Sequence, residues 1–206
     1  AQNTHFGRAF KSEYFVLENA YNIISGSGYS PVSGTDKIVK FYTDEGYKID
    51  RYYRYFYYYF DKLEDNAGFE KLRELVENIY TNEYLNKMTV NWSNEFSSVH
   101  GETQIAKQTD FFGKYVRYAK ERVVVIISDA MRYEVGRTLF ERLQGDEKCT
   151  VSITPMQSVL PAITRFGMAA LLPHKELQID DKLAAYVDGL SCVDTKQREA
   201  ILRQYT

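Results

Sequence analysis

The sequence predicts two structural regions: a helical region over residues 1–119, then an α/β unit with a parallel sheet over residues 120–206. Three observations support this division. Fifteen of the 18 tyrosines precede residue 120. The whole net charge of −2 also lies there, because residues 120–206 carry twelve basic and twelve acidic side chains. Hydrophobic spacing then changes from three-to-four in the first region to continuous β-branched runs alternating with helical patterns in the second.

In the first region, Phe6, Phe10, Phe15, Val16 and Leu17 mark an amphipathic segment from Gly7 to Ile24. The Ser25–Pro31 stretch is a loop by composition. Asp36 is placed to cap a helix through Ile38, Val39 and Tyr42, which Gly46 should break. Ile49 to Leu63 follows, with Asp50 in a capping position. Phe69–Tyr80 carries Leu72, Leu75, Val76 and Ile79 on one stripe. Asn82–Phe96 and Phe111–Lys120 complete the helices.

The run from Arg51 to Phe60 holds eight residues that are tyrosine or phenylalanine between and after two arginines. Its spacing is helical, so its aromatics should fill a core. The alternative is a stacking platform for bases.

In the second region, Val123–Ile127 reads as a strand buried on both faces. A helix with Val135, Leu139, Phe140 and Leu143 follows and ends at Gly145. Cys149–Thr154 reads as a second strand, which would make Cys149 a core residue. Thr164–Leu172 is a short helix stopped by Pro173. Leu177–Ile179 and Ala185–Val187 are brief extended pieces, and Asp194 caps a last helix through Leu202.

Composition excludes several function classes. Hydrophobic residues at 44% and charged residues at 26% are globular values, which excludes wholesale disorder. With a pI near 6.0 the chain has no basic field, so direct nucleic-acid binding is not expected. No apolar run approaches the ~20 residues that span a bilayer. Cys149 and Cys192 make neither a disulfide framework nor a zinc knuckle and suit the cytoplasm. The opening residues Ala1–His5 show no secretion signal and no initiator methionine, so a fragment is expected.

In open α/β sheets, ligands bind beyond the carboxyl ends of the strands. Asp129 falls there, two residues after the apolar strand, and Thr164 opens the helix after the second strand and its loop. Each has two readings. Asp129 caps the helix that starts near Ala130, or it is a hard oxygen ligand for a divalent cation. Thr164 is a cap, or a hydroxyl at a phosphate seat that a metal would activate as a nucleophile. Arg132 and Arg165 could steady a phosphate or sit on the surface. His174 reads as a helix C-terminal cap, Asp180 and Asp181 as a solvated loop or cap, and His5 and His100 lack partners at metal spacing.

The stretch Ile126-Ile-Ser-Asp-Ala-Met-Arg-Tyr-Glu134, with Leu160-Pro-Ala-Ile-Thr-Arg-Phe-Gly-Met-Ala-Ala-Leu-Leu-Pro173, resembles the PglZ domain of bacteriophage-exclusion (BREX) systems, in the alkaline phosphatase superfamily. Asp188-Gly-Leu-Ser191 and the last helix are also similar to it, and the helical region resembles the segment before that domain in type A members.

The resemblance implies an alkaline-phosphatase-like α/β fold and a metal-dependent phosphatase or phosphodiesterase. It implies Asp129 as a ligand of a divalent metal, usually zinc, and Thr164 as nucleophile and metal contact. It implies a phosphate-ester substrate and, as partners, other components of a phage-defence complex. Members have further Asp and His ligands later in the chain. The expectation is therefore an amino-terminal piece of a longer enzyme, inactive alone. The alternative is a non-catalytic scaffold within a defence complex.

Overall fold

The computed structural model describes residues 4–205. The opening triplet of the expected signal-free start lies outside the described residues. The chain forms two compact units, each assembled from two stretches: residues 1–103 with 132–153, and residues 104–131 with 154–206. Packing thus divides the chain differently from sequence character, because the stretch 132–153 folds with the helical region.

The first unit is helical. It contains α1 (His5–Ala9), α2 (Lys11–Gly26), α3 (Thr35–Phe41), α4 (Tyr47–Phe60), α5 (Glu70–Ile79), α6 (Asn86–Ser98) and α7 (Tyr133–Gln144). The expected first helix is interrupted at Phe10, which separates α1 from α2. Its core joins Val16, Ala20 and Ile23 of α2 to Phe56 and Phe60 of α4, and to Val76, Tyr80 and Tyr84. The aromatic run is therefore core: Tyr52, Tyr53, Tyr57 and Tyr59 pack on this cluster. Tyr53 stacks on Tyr80 at 3.7 Å between ring centres.

Two expectations about α4 are corrected. Gly46 does not break the chain, because a π-helical turn, Tyr42–Gly46, joins α3 to α4. Glycine is required there for close approach: a Cβ would lie 2.9 Å from the Tyr84 hydroxyl, which donates to the Gly46 carbonyl at 2.7 Å. Nor is Asp50 a cap. It lies inside α4, and its carboxylate accepts from Tyr42 at 2.6 Å and Tyr80 at 2.9 Å. Burial pushes that carboxyl above its ordinary range, against the pull of the two hydroxyls. Asp36 likewise sits within the first turn of α3, whose N-cap is Gly34. A second π turn, Tyr80–Leu85, joins α5 to α6.

The arginines of the aromatic run are committed within this unit. Arg54 grips Glu134, the second residue of α7, through Nε at 2.9 Å to both carboxylate oxygens and through Nη2 at 2.8 Å. The Glu134 side chain is 0% exposed. Arg51 reaches Glu141, about two turns further along the same face of α7, at 2.7 Å. These pairs occupy the cations that a base-stacking platform would need.

The second unit contains no parallel sheet among the described residues, where the sequence led to the expectation of one. Its sheet is antiparallel, with β1 (Leu177–Ile179), β2 (Ala185–Val187) and β3 (Leu190–Ser191) in the order β1-β2-β3. Among the described residues the parallel contact is a single bridge between Lys107 and Gln157. Val123–Ile127 is not a strand, and Ile126 is 87% exposed. Residues 149–154 are not a strand either, and Cys149 is exposed rather than in a core. A doubly buried parallel strand needs hydrogen-bonded neighbours and covering helices on both faces. The apolar pattern records that requirement but does not supply the neighbours. The expected helix over Phe111–Lys120 is reduced to a π turn, Phe112–Val116.

The remaining elements of this unit are α8 (Thr164–Ala170) and α9 (Thr195–Leu202). Phe166, Ala169 and Leu172 pack with Ala185, Val187, Cys192 and Ile201 in a small core. Asp194 caps α9 in a complete capping box with Gln197. Among the described residues no helix is long and apolar enough to cross a membrane.

Two predictions follow from the helical unit. Arg54→Ala strands the buried Glu134 carboxylate and costs on the order of 3 kcal/mol of stability. Arg51→Ala, which frees a carboxylate already in contact with water, costs less than about 1 kcal/mol. Denaturant unfolding of both variants checks the ratio. The second concerns Glu77, whose carboxylate accepts from Tyr53 at 2.6 Å and Tyr57 at 2.5 Å. Those hydroxyls hold its pKa below the ordinary 4.5. Its contribution is thus present above that value and lost as pH falls through the depressed one. Glu77→Gln lowers the melting temperature at neutral pH, and the difference from wild type closes in acid.

Candidate active site

Thr164 and Asp129 meet in the second unit. The Thr164 hydroxyl donates to the Asp129 carboxylate, at 3.2 Å to Oδ2 and 3.4 Å to Oδ1. Thirty-five residues of sequence separate them, and both side chains are exposed.

Neither residue acts as a helix cap. The helix after Asp129 begins only at Tyr133, with Arg132 as its N-cap and no side-chain bond there. Asp129 instead accepts from the next amide, Ala130 N–H, at 3.0 Å. Thr164 is the first residue of α8, and the N-cap is Ile163. The Phe166 and Gly167 amides both donate to the Ile163 carbonyl at 3.0 Å, so these two are not open to a ligand.

The turn after Asp129 is strained. Ala130 has φ 55°, in the left-handed region that disfavours a residue with a Cβ. Such strain persists where the surroundings fix it, and it collects at functional turns.

Gln108 holds the other side of the site. Its side-chain amide donates to the Gly167 carbonyl in α8 and accepts from Val159 N–H, both at 3.3 Å. Its backbone amide donates to the Gln157 carbonyl at 2.9 Å. One side chain therefore ties the 157–159 loop to the helix that carries Thr164. Sequence reasoning missed Gln108, because a lone glutamine in a polar stretch carries no periodic or motif signal.

The other candidates do not join this pair. Arg165 donates to the Leu183 carbonyl at 3.2 Å. Arg132 lies in the first unit, where its charge favours ionised Asp50. The His174 ring bonds the Leu172 carbonyl at 2.7 Å, just beyond α8. Asp180 Oδ1 accepts from the Lys182 and Ala184 amides, organising the turn before β2, and Asp181 is exposed. His100 sits at φ 52° after α6. The His5 side chain lies outside the described residues.

No group of three or more His, Cys, Asp or Glu side chains able to hold a metal occurs among the described residues. Asp129 and Thr164 offer one carboxylate and one hydroxyl. A catalytic zinc takes three protein ligands, so this pair does not by itself fit one.

Residues 110–206 match the family described as "BREX system PglZ alkaline phosphatase-like domain". This segment belongs to the PglZ family. The match contains both Asp129 and Thr164. Over 98% of its length the chain is 35% identical to a protein of Bacillus cereus (strain H3081.97) named "Alkaline phosphatase-like protein PglZ", of which it covers 25%. Over 81% of its length it is 33% identical to "Alkaline phosphatase-like protein BrxZ" of Escherichia coli O9:H4 (strain HS), of which it covers 21%. The chain thus spans about a quarter of the length of these PglZ relatives. The similarity to the Bacillus protein runs through the helical region as well as the PglZ segment. No solved structure is significantly similar to the chain.

The strained turn gives a test of rigidity at the site. Ala130→Gly melts no lower than wild type, because relief of the left-handed φ offsets the added freedom of the unfolded chain. Ala130→Val loses about 1–2 kcal/mol, since a β-branched residue resists that conformation more strongly. Thermal unfolding of the two variants checks the order.

Proposed function

We propose that this chain carries part of the active site of a metal-dependent phosphatase or phosphodiesterase that serves bacteriophage defence. The observation that carries the reading is the 3.2 Å contact between Thr164 and Asp129, inside the PglZ segment. Thr164 Oγ is the nucleophile. Asp129 orients it and favours release of its proton. Oγ attacks phosphorus in line, the ester oxygen leaves, and water then cleaves the phosphothreonine or nucleotidyl adduct. Such chemistry depends mainly on positioning and charge neutralisation.

The cofactor proposed is a divalent metal, zinc by preference, with Asp129 and Thr164 as two of its ligands. The remaining ligands, and the strands that would pair Val123–Ile127 into a parallel sheet, are proposed to come from sequence of the kind that the longer relatives possess. The 206-residue chain alone is proposed to be inactive.

A second reading rests on α2 and the residue before it. Phe10, Tyr14, Leu17, Tyr21 and Ile24 recur at three-to-four spacing and are all exposed, Tyr21 at 71%. The adjoining flank of the same helix holds the buried Val16, Ala20 and Ile23. An exposed apolar stripe of this kind suits a scaffold that docks another component of a defence complex.

Hydrolysis of bis(p-nitrophenyl) phosphate by the full-length gene product separates the readings. The catalytic reading expects chelator-sensitive turnover, reduced by roughly a hundredfold or more in both Asp129→Ala and Thr164→Ala. A folded full-length protein inactive on this diester and on p-nitrophenyl phosphate would favour the scaffold.

A further inference from the structure

The second unit holds a cleft of about 360 Å³ beyond the C-terminal end of α8, lined by neither Asp129 nor Thr164. That volume is at the lower end of the roughly 300–1,000 Å³ typical of small-ligand pockets. Its floor is apolar and buried: Phe112, Leu172 and Pro173. Its rim is cationic, formed by Lys114, Arg117 and Lys175, with Asp110 as the one carboxylate lining it. None of the three cations makes an ion pair with a described residue within salt-bridge distance.

Two further acids are engaged close to Lys175: Asp188 accepts from the backbone amides of Lys175 and Glu176, at 3.0 and 2.8 Å, and the Glu176 carboxylate accepts from Gln178 Nε2 at 2.9 Å. Three cationic side chains line this cleft on a chain whose net charge is −2.

Two ring systems complete the cleft. Tyr205 is 40% exposed and meets Phe112 edge-on, with ring centres 5.9 Å apart. The Arg117 guanidinium lies 5.6 Å from the Tyr205 ring centre, which places cation and aromatic face together. The His174 ring is fixed by its Nδ1 bond to the Leu172 carbonyl, leaving Nε2 as its other polar atom. A bare inorganic anion would leave the apolar floor and the tyrosine unused. A neutral aromatic would leave the cations unused. A ligand carrying both a phosphate and a flat ring uses all of them.

We propose that this cleft binds a nucleoside monophosphate, with its phosphate on Lys114, Arg117 and Lys175 and its base against Tyr205 and the apolar floor. The site is separate from the Thr164–Asp129 pair, and the proposal does not depend on the catalytic reading.

Calorimetric titration of the 206-residue chain with AMP tests this. It is run in a Thr164→Ala background, so that the candidate nucleophile cannot consume the ligand. AMP should bind more tightly than either inorganic phosphate or adenosine. Arg117→Gln with Lys175→Gln should weaken AMP by about tenfold or more. Tyr205→Ala should bring AMP down to the affinity of inorganic phosphate. Adding Asp129→Ala should change nothing. These substitutions are at exposed positions, and superimposable thermal unfolding curves check that the fold is retained. No AMP binding at millimolar concentration overturns the proposal. So does equal affinity for inorganic phosphate, or binding that is lost with Asp129→Ala and kept in the Arg117/Lys175 variant.

Discussion

A carboxylate with no exposed surface, Glu134, must be paired or it destabilises the fold around it. Arg54 supplies that partner through a two-pronged contact that a lysine could not reproduce. The consequence reaches well beyond the pair. Arg54 stands on α4, whose other faces carry Phe56 and Phe60 into the core against α2. Glu134 opens α7, which belongs by sequence to the PglZ segment and by packing to the helical unit. Tyr133, one residue earlier, meets Tyr42 at a tilt and Tyr47 edge-on, with ring centres 5.8 Å apart in each pair. The tyrosine-rich run therefore acts as the seat on which part of the PglZ segment folds. This also gives a physical reason why similarity to the Bacillus cereus relative extends over nearly the whole chain.

The helical unit is held by carboxylates under tyrosine hydroxyls as much as by apolar contact. Asp50 takes two such hydroxyls and Glu77 takes two more. Tyrosine suits this arrangement because its ring fills the core and its hydroxyl satisfies a polar group at the edge. Both π turns contribute a tyrosine to the Asp50 cluster, Tyr42 from one and Tyr80 from the other. The second unit is organised differently. There a short helix, a three-stranded sheet and one glutamine side chain fix the position of Thr164, while the Asp129 turn contributes a strained alanine.

Much of this was legible in the sequence. The three-to-four spacing of Leu72, Val76 and Ile79 and the capping signal at Asp194 report local physics, and the helices form where those signals stand. Asp129 and Thr164 stand out in the sequence because a carboxylate just after an apolar run, and a hydroxyl opening a helix, are local patterns. Their contact across 35 residues was not legible, since it depends on how Gln108 ties the intervening loop. The parallel sheet is not formed among the described residues for a related reason. Val123–Ile127 has the composition of a buried strand, but burial depends on neighbours that a five-residue pattern cannot specify. Asp50 was misread as a cap because a buried carboxylate and a capping carboxylate look alike until the tyrosines beneath it are located.

The central claim is that Thr164, held by Asp129, is the group that takes the phosphoryl moiety. Acid-quenched mass spectrometry of the full-length protein during turnover of p-nitrophenyl phosphate addresses it directly. The account predicts a phosphoryl adduct on the peptide containing Thr164, absent in Thr164→Ala and strongly diminished in Asp129→Ala. Undiminished turnover in Thr164→Ala, or an adduct on another residue, would contradict it.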